Sequence, residues 1–498
     1  MNTTENGANA YSTTESKCLD FFVLPTRNYD KERLLELFDD AFNENPLTAL
    51  KILFHLRDPR DGKGEKELTL LLLEHMISKY PKNLDANLSS LTDEYGCYKM
   101  LCELYSRDYT DRKHKASLLP LKILADAISK EHPLAGKWAP SEHGHYNHKN
   151  QGYQVSKLCK ILNLVRTNQE GLVIPDLCAY RKLITPLRTK ANIVEQLCCS
   201  NRWDDIEFSK VASKAMMILS RKAFPSHCGD KFSQWKEAVK EGKTEIKTAG
   251  LQPHEITKSC RAEELDDIQE LQWNTIVKKL ADNGNLNNAL AIVDVSGSMY
   301  CQKDPYPIDV AIALGLLISE VIKGKFHKKF MTFSEEPKIV EVVGSTLKEK
   351  ITSISRSNWG YNTNYVKALL SILEYGKLFK IPQKEMPTTL FILTDMEFDQ
   401  AGRGSNLTPH QVVKQDYEDA GYSLPKIVFW NLANRSDGLP VKEKDNNTAL
   451  VSGFSSSLLK AFLDLDPRKA FNPQAIMEHI LKKYEPKVCK EDTYLLNA

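Results

Sequence analysis

Three stretches in the C-terminal half carry oxygen side chains at a spacing suited to metal chemistry. Asp294-Val295-Ser296-Gly297-Ser298-Met299 directly follows the apolar run Ala289-Leu290-Ala291-Ile292-Val293. Alternate residues of an extended segment share a face, so Asp294, Ser296 and Ser298 can turn three oxygens inward while Gly297 permits a tight path. A later apolar run, Thr388 to Thr394, ends in Asp395, and Asn362-Thr363-Asn364 precedes the helix leading into that run. Two carboxylates and three hydroxyls, from Asp294, Ser296, Ser298, Thr363 and Asp395, make an oxygen-only donor set. Such a set suits a hard divalent cation, Mg²⁺ above all, with the open position left to water or to an acidic group of a partner. The competing reading is a serine-rich turn in which Asp294 caps a helix over 309–323.

The same residues argue against an enzyme. An aspartyl-phosphate mechanism places a second carboxylate two residues after the first, and here that position is Ser296. The sequence has no Gly-x-x-x-x-Gly-Lys phosphate loop, no His-Glu-x-x-His, no Gly-x-Ser-x-Gly elbow and no His-x-Glu with Pro-Cys-x-x-Cys. A metal held by two carboxylates can polarise a phosphate, so a metal-dependent nuclease stays open as a minor alternative.

Two basic clusters lie in the N-terminal half. Arg57, Arg60, Lys63 and Lys66 sit between two expected helices, and Arg181, Lys182, Arg188 and Lys190 crowd another junction. Either can contact phosphate through charge and counterion release, which would make structured RNA a partner. Solvated helix faces are the plainer account, and Asp58, Asp61 and Glu65 partly cancel the first group. His143, His145 and His148 share a polar loop over 137–153, but no cysteine or fourth ligand adjoins them, so a loop histidine cluster is favoured over structural zinc.

These residues must be positioned by two kinds of architecture. From about 30 to 280, apolar residues recur at helical spacing, with helices expected over 31–42, 46–57, 64–79, 95–106, 115–130, 153–167, 175–187, 205–223 and 261–281. That half is expected to be all-helical, a HEAT-like or solenoid stack. After Asn283-Gly284, short apolar, strand-like runs alternate with helices over 309–323, 363–379 and 408–420, the pattern of a mostly parallel, doubly wound α/β sheet with both faces covered. Lys328 to Phe333 and Lys338 to Val343, joined by a short turn, should form an antiparallel edge hairpin. The expected division is a disordered, polar tail over 1–17, a helical domain over 18–284 and an α/β domain over 285–498.

Bulk composition sets limits. A chain of 498 residues is too long for one ordinary core. Apolar residues at 42% and charged residues at 27% are globular values. The net charge of +2 makes the chain no general magnet for nucleic acid, so any such site must be local. Eleven scattered cysteines and the lack of a signal-like or membrane-length apolar segment point to a reducing, cytoplasmic setting without membrane insertion.

Asp294 to Met299, the Asn362-Thr363-Asn364 segment and Thr394 to Phe398 resemble the metal-ion-dependent adhesion site of von Willebrand factor A domains. Asp294, Ser296, Ser298, Thr363 and Asp395 match its five ligand positions. The helical half is similar to the TROVE module of the Ro ribonucleoprotein family through Arg57-Asp58-Pro59-Arg60-Asp61-Gly62-Lys63-Gly64. More specifically, KWAPSE, AYRKLITPLR, NRWDDIEFSKVASKAM, PHEI and QWNTIVKKL resemble the domain of unknown function 2828 family, from about residue 20 to the end. The resemblance implies a helical ring or solenoid joined to an A domain, Mg²⁺-dependent capture of a protein ligand's acidic group, and RNA binding by the helical half as a ribonucleoprotein component. A purely protein-binding adaptor is the alternative.

Overall fold

The computed structural model describes residues 2–489, apart from 113–114, 262–266, 283, 285, 287, 302–303, 334–336, 356–363, 401–406, 434 and 464–469. Its strands are β1 (Asn2–Thr3), β2 (Asn9–Ala10), β3 (Val165–Thr167), β4 (Val173–Pro175), β5 (Ala289–Val293), β6 (Lys329–Thr332), β7 (Lys338–Glu341), β8 (Thr389–Thr394), β9 (Lys426–Asn431) and β10 (Thr448–Ser452).

The last six form one sheet in the order β10-β9-β8-β5-β6-β7, parallel except for β7, which pairs antiparallel with β6. The expected edge hairpin is therefore present. The chain leaves β5 toward β6 and later returns to its other side at β8, so the strand order reverses between β5 and β8. Open parallel sheets form a crevice outside the carboxyl ends of two such strands. β5 is buried at all five positions, as a strand covered on both faces must be. The helix Pro307–Val321 packs behind it, and Gly315 makes this possible: a Cβ there would meet Val293 Cγ2 at 2.5 Å.

The N-terminal half is mainly helical, and most expected helices are present with shifted ends: Lys31–Glu44, Pro46–Arg57, Lys66–Lys79, Lys99–Arg112, Leu119–Ser129, Leu177–Lys190 and Asp267–Asp282. Three expectations need correction. The helix expected over 153–167 stops at Ile161, because Asn163 takes a left-handed φ of +57° and the chain then enters the small antiparallel hairpin β3–β4. The span 205–223 is two 3-10 turns and the short helix Ser213–Leu219, so this half is not all-helical and that segment is not one helix. The tail over 2–17 is ordered, since β1 and β2 pair and the segment docks on the sheet half. Tyr11 and Leu439 exchange backbone hydrogen bonds of 2.8 and 2.9 Å.

One apolar cluster runs from Ala8 through the helices and the sheet to Tyr484. The change in secondary-structure type near 284 is not a break in the core. A second cluster around Ile206, Phe208, Phe224 and Phe232 forms its own small core.

Candidate functional site

The sheet brings Asp294 and Asp395 to the crevice where the strand order reverses. The Asp294 amide donates to Leu393 O at 2.9 Å, which prolongs the β5–β8 ladder up to the site. Asp294 is fully buried; its Oδ1 accepts the Ser296 amide at 3.0 Å and its Oδ2 accepts the Thr394 hydroxyl at 2.7 Å. The first bond is a side-chain turn that reverses the chain, after which Gly297–Tyr300 forms a 3-10 turn. Ser296 Oγ and Ser298 Oγ lie 2.9 Å apart. Alternation along Asp294, Ser296 and Ser298 thus gathers three oxygens.

Asp395 is equally buried. Its Oδ1 accepts the Glu397 amide at 3.2 Å, whereas Oδ2 has no hydrogen-bond partner among the described residues. Burial pushes its carboxyl up to about 7, and the neighbouring Asp294 adds to the rise. Burial likewise raises the Asp294 carboxyl, against hydrogen bonds from Ser296 and Thr394 that lower it. Among the described residues, two buried carboxyls with a bare acceptor oxygen and no cationic side chain in their hydrogen-bond shell form an electrostatic deficit, which a small cation would remove. Met396, next along the chain, sits at φ +68°, a strained conformation for a residue with a Cβ.

Of the five predicted oxygen donors, the structure gathers Asp294, Ser296, Ser298 and Asp395. Thr363 lies outside the described residues. Its neighbour Asn364 caps the helix Tyr365–Leu378 by accepting the Lys367 amide at 2.8 Å. Asp294 does not cap the helix at 307, where no side-chain cap bond forms. Two further residues belong to the site. Thr394 orients Asp294, and its place before Asp395 was the only signal for it. Glu397, buried beside the site, accepts the Glu5 amide at 2.7 Å and the Ser436 hydroxyl at 2.6 Å. With Asn6 Nδ2 on Glu397 O and Thr4 Oγ1 on Phe398 O, both 2.7 Å, the N-terminal segment straps the loop that follows Asp395. Nothing in the polar composition of the tail announces this.

The first basic cluster is not a surface patch. Lys63 is buried, and its ammonium donates to Phe22 O at 2.5 Å, Pro25 O at 3.0 Å and Ser452 Oγ at 2.6 Å. All three protons are committed, so the phosphate role expected for Lys63 is corrected to a clasp between helices and sheet. Arg57 is buried too, and Lys66 pairs with Glu103 at 2.8 Å. Arg60 remains exposed and gives Nη1 to Glu94 O at 2.7 Å. The acidic neighbours complete the joint: Asp58 accepts Lys483 at 3.1 Å and the Tyr484 hydroxyl at 3.0 Å, and Asp61 accepts Lys460 at 2.8 Å. In the second cluster, Arg188 is spent on Gly136 O, Ala139 O and Ser141 Oγ at 2.8 to 3.2 Å, and Lys190 pairs with Glu131 at 3.0 Å. Arg181 lies 3.4 Å from Glu142, and Lys182 is exposed. His143, His145 and His148 are exposed and form no metal-holding cluster among the described residues.

The model of the domain of unknown function DUF2828 matches residues 4–132 and 120–286. The chain belongs to this DUF2828 family. A second model, the domain of unknown function DUF7788, matches residues 288–492 and so takes in the whole sheet. The chain is also similar to an uncharacterized protein of Acanthamoeba polyphaga mimivirus. It is 33% identical over 535 residues, spanning 99% of this chain and 90% of that protein. Among solved structures, the Ro (RSR) protein of Deinococcus radiodurans aligns with 95% of this chain and all of its own at a TM-score of 0.46 and 12% identity. No helix among the described residues is long and apolar enough to cross a membrane.

Proposed function

We propose that this DUF2828-family chain is a non-enzymatic binding scaffold. In this reading its C-terminal half is a von Willebrand factor A-like unit that captures an acidic group of a protein partner through Mg²⁺ or a similar cation. The observation that carries it is the bare, buried Oδ2 of Asp395 beside Asp294. Asp294, Ser296, Ser298 and Asp395 would hold the ion, with Thr363 as the fifth donor. The cation would supply a Lewis-acidic position for a partner carboxylate or phosphate. The protein's own residues fix that position: Thr394 and the Ser296 amide orient Asp294, and the Glu397 amide orients Asp395. The strand order of the sheet supports the A-like assignment. Calorimetric titration with Mg²⁺ and Mn²⁺ tests the reading. The wild type should bind one ion and Asp294→Ala none, with helical circular dichroism unchanged. Equal heats from both proteins would refute it, and metal-dependent cleavage of RNA or DNA would replace the scaffold with a nuclease.

A second surface on the helical half is favoured by a local charge excess. Residues 112–190 hold fourteen Lys and Arg against five Asp and Glu, in a chain whose total is only +2. Lys122, Lys160, Arg166 and Lys182 within it are exposed. Such a block fits the phosphate backbone of structured RNA, and its affinity should fall steeply with salt. Fluorescence polarisation with structured and single-stranded RNAs, with and without EDTA, separates the two surfaces. RNA binding that survives EDTA belongs to the helical half; no binding leaves a metal-dependent protein adaptor.

A further inference from the structure

A groove runs along the joint between the helices and the sheet, away from the Asp294–Asp395 crevice. Its main cavity, of about 480 Å³, is lined on the helical side by the Pro59-Arg60-Asp61 turn, residues 248–251 and the helix Asp267–Asp282, and on the sheet side by Ser455, Ser456, Ser457 and Lys460. A volume of this order accommodates a small organic ligand, and joints between structural units are where such sites occur. A second cavity of about 240 Å³ shares Asp61, Ser457 and Lys460 and extends toward His479 and Lys483.

The chemistry of the walls is uneven. The serine loop follows the carboxyl end of β10, and Ser455 Oγ and Ser457 Oγ hold each other at 2.7 Å. Ser456, partly exposed between them, gives its carbonyl to the Leu459 amide at 3.1 Å, while its hydroxyl has no hydrogen bond among the described residues and can turn into the cavity. Arg60 spends only Nη1, on Glu94 O, and keeps the rest of its guanidinium fork. Lys279 is exposed and has no ion-pair partner among the described residues. Lys460 pairs with Asp61 at 2.8 Å, and Lys483 is shared between Asp58 at 3.1 Å and Asp61 at 3.3 Å. Arg60, Lys279 and Lys460 thus face Asp61 and Asp282 across the main cavity, a cationic excess of one, together with hydroxyl donors. Leu251, Ile276 and Leu280 supply an apolar wall beside them.

We propose that this groove binds a small organic phosphate: the phosphate sits between Arg60, Lys279 and Ser456, and the organic part lies on the Leu251–Ile276 wall. A guanidinium fork and an ammonium with adjacent hydroxyls match a phosphate's geometry and charge. The apolar wall favours a phosphate ester over the free ion. The ligand would touch both halves and brace the joint that Asp61 and Lys63 already form.

Thermal-shift assays and calorimetry with adenosine monophosphate, glucose 6-phosphate, inorganic phosphate and adenosine test this on the full chain. At least one phosphate ester should raise the melting temperature and bind at least tenfold more tightly than inorganic phosphate or adenosine. Lys279→Glu and Arg60→Ala should each weaken it by tenfold or more; Lys279 is at the surface, so its replacement spares the fold. The proposal is overturned if no ester binds at millimolar concentration, if inorganic phosphate or adenosine binds equally well, or if Lys279→Glu leaves the affinity unchanged.

Discussion

Asp395→Asn offers the sharpest test of the electrostatic account of the crevice. In the metal-free protein the Asp395 carboxyl titrates near 7 instead of 3.8, because burial and the Asp294 charge disfavour its ionised form. The folded state therefore binds a proton that the unfolded state has already released between these two values, and stability falls as pH rises through that window. A displacement of this size corresponds to roughly 4 kcal/mol lost by pH 8, an upper figure because two carboxyls share the effect. Asparagine is neutral and nearly isosteric, so it removes the penalty. Denaturant unfolding in EDTA at pH 4 and pH 8 should show the variant gaining on the wild type by about 2–4 kcal/mol at pH 8 and by almost nothing at pH 4. Added Mg²⁺ should reverse the ranking, since it neutralises the pair only where both carboxylates remain and stabilises by mass action. The reasoning fails if Asp395→Asn is no more stable than the wild type in EDTA at pH 8, or if Mg²⁺ raises the stability of both proteins equally.

Two further outcomes follow from the joint and the tail. Burial brings the Lys63 ammonium down to about 7, so between pH 7 and 10.5 the unfolded chain carries a proton that the folded one has lost. Stability should then rise with pH at up to about 1.4 kcal/mol per pH unit, and Lys63→Met should flatten that component in paired unfolding curves; parallel curves would count against a strained buried ammonium. Removing residues 1–11 strips Glu397 of its amide donor and breaks the Tyr11–Leu439 pairing. It should cost about 2–4 kcal/mol and expose residues 396–399 and 435–439 to hydrogen exchange, whereas a truncated protein of unchanged melting temperature would restore the view of a passive tail.

The sequence alone determined what local pattern can determine. Continuous apolar runs leading into Asp294 and Asp395 identified the strands and the crevice, because a strand covered on both faces must be apolar nearly throughout and the polar residues that follow mark its end. Helical periodicity likewise marked most helices between 31 and 282. Tertiary structure decided the rest, since a charged side chain reads identically in sequence whether it meets water, carbonyls or a carboxylate. Lys63 looked like a phosphate grip beside Arg60, yet the fold folds it inward onto Phe22, Pro25 and Ser452, contacts up to 389 positions away along the chain. Glu397 and the segment from Thr4 to Tyr11 show the same limit: a polar tail has no periodicity to betray order, and its partners lie nearly 400 residues away. Composition fixed which segments could be buried, and only the assembled fold, by bringing distant backbone groups within hydrogen-bonding reach, decided which charges were to be spent holding it together.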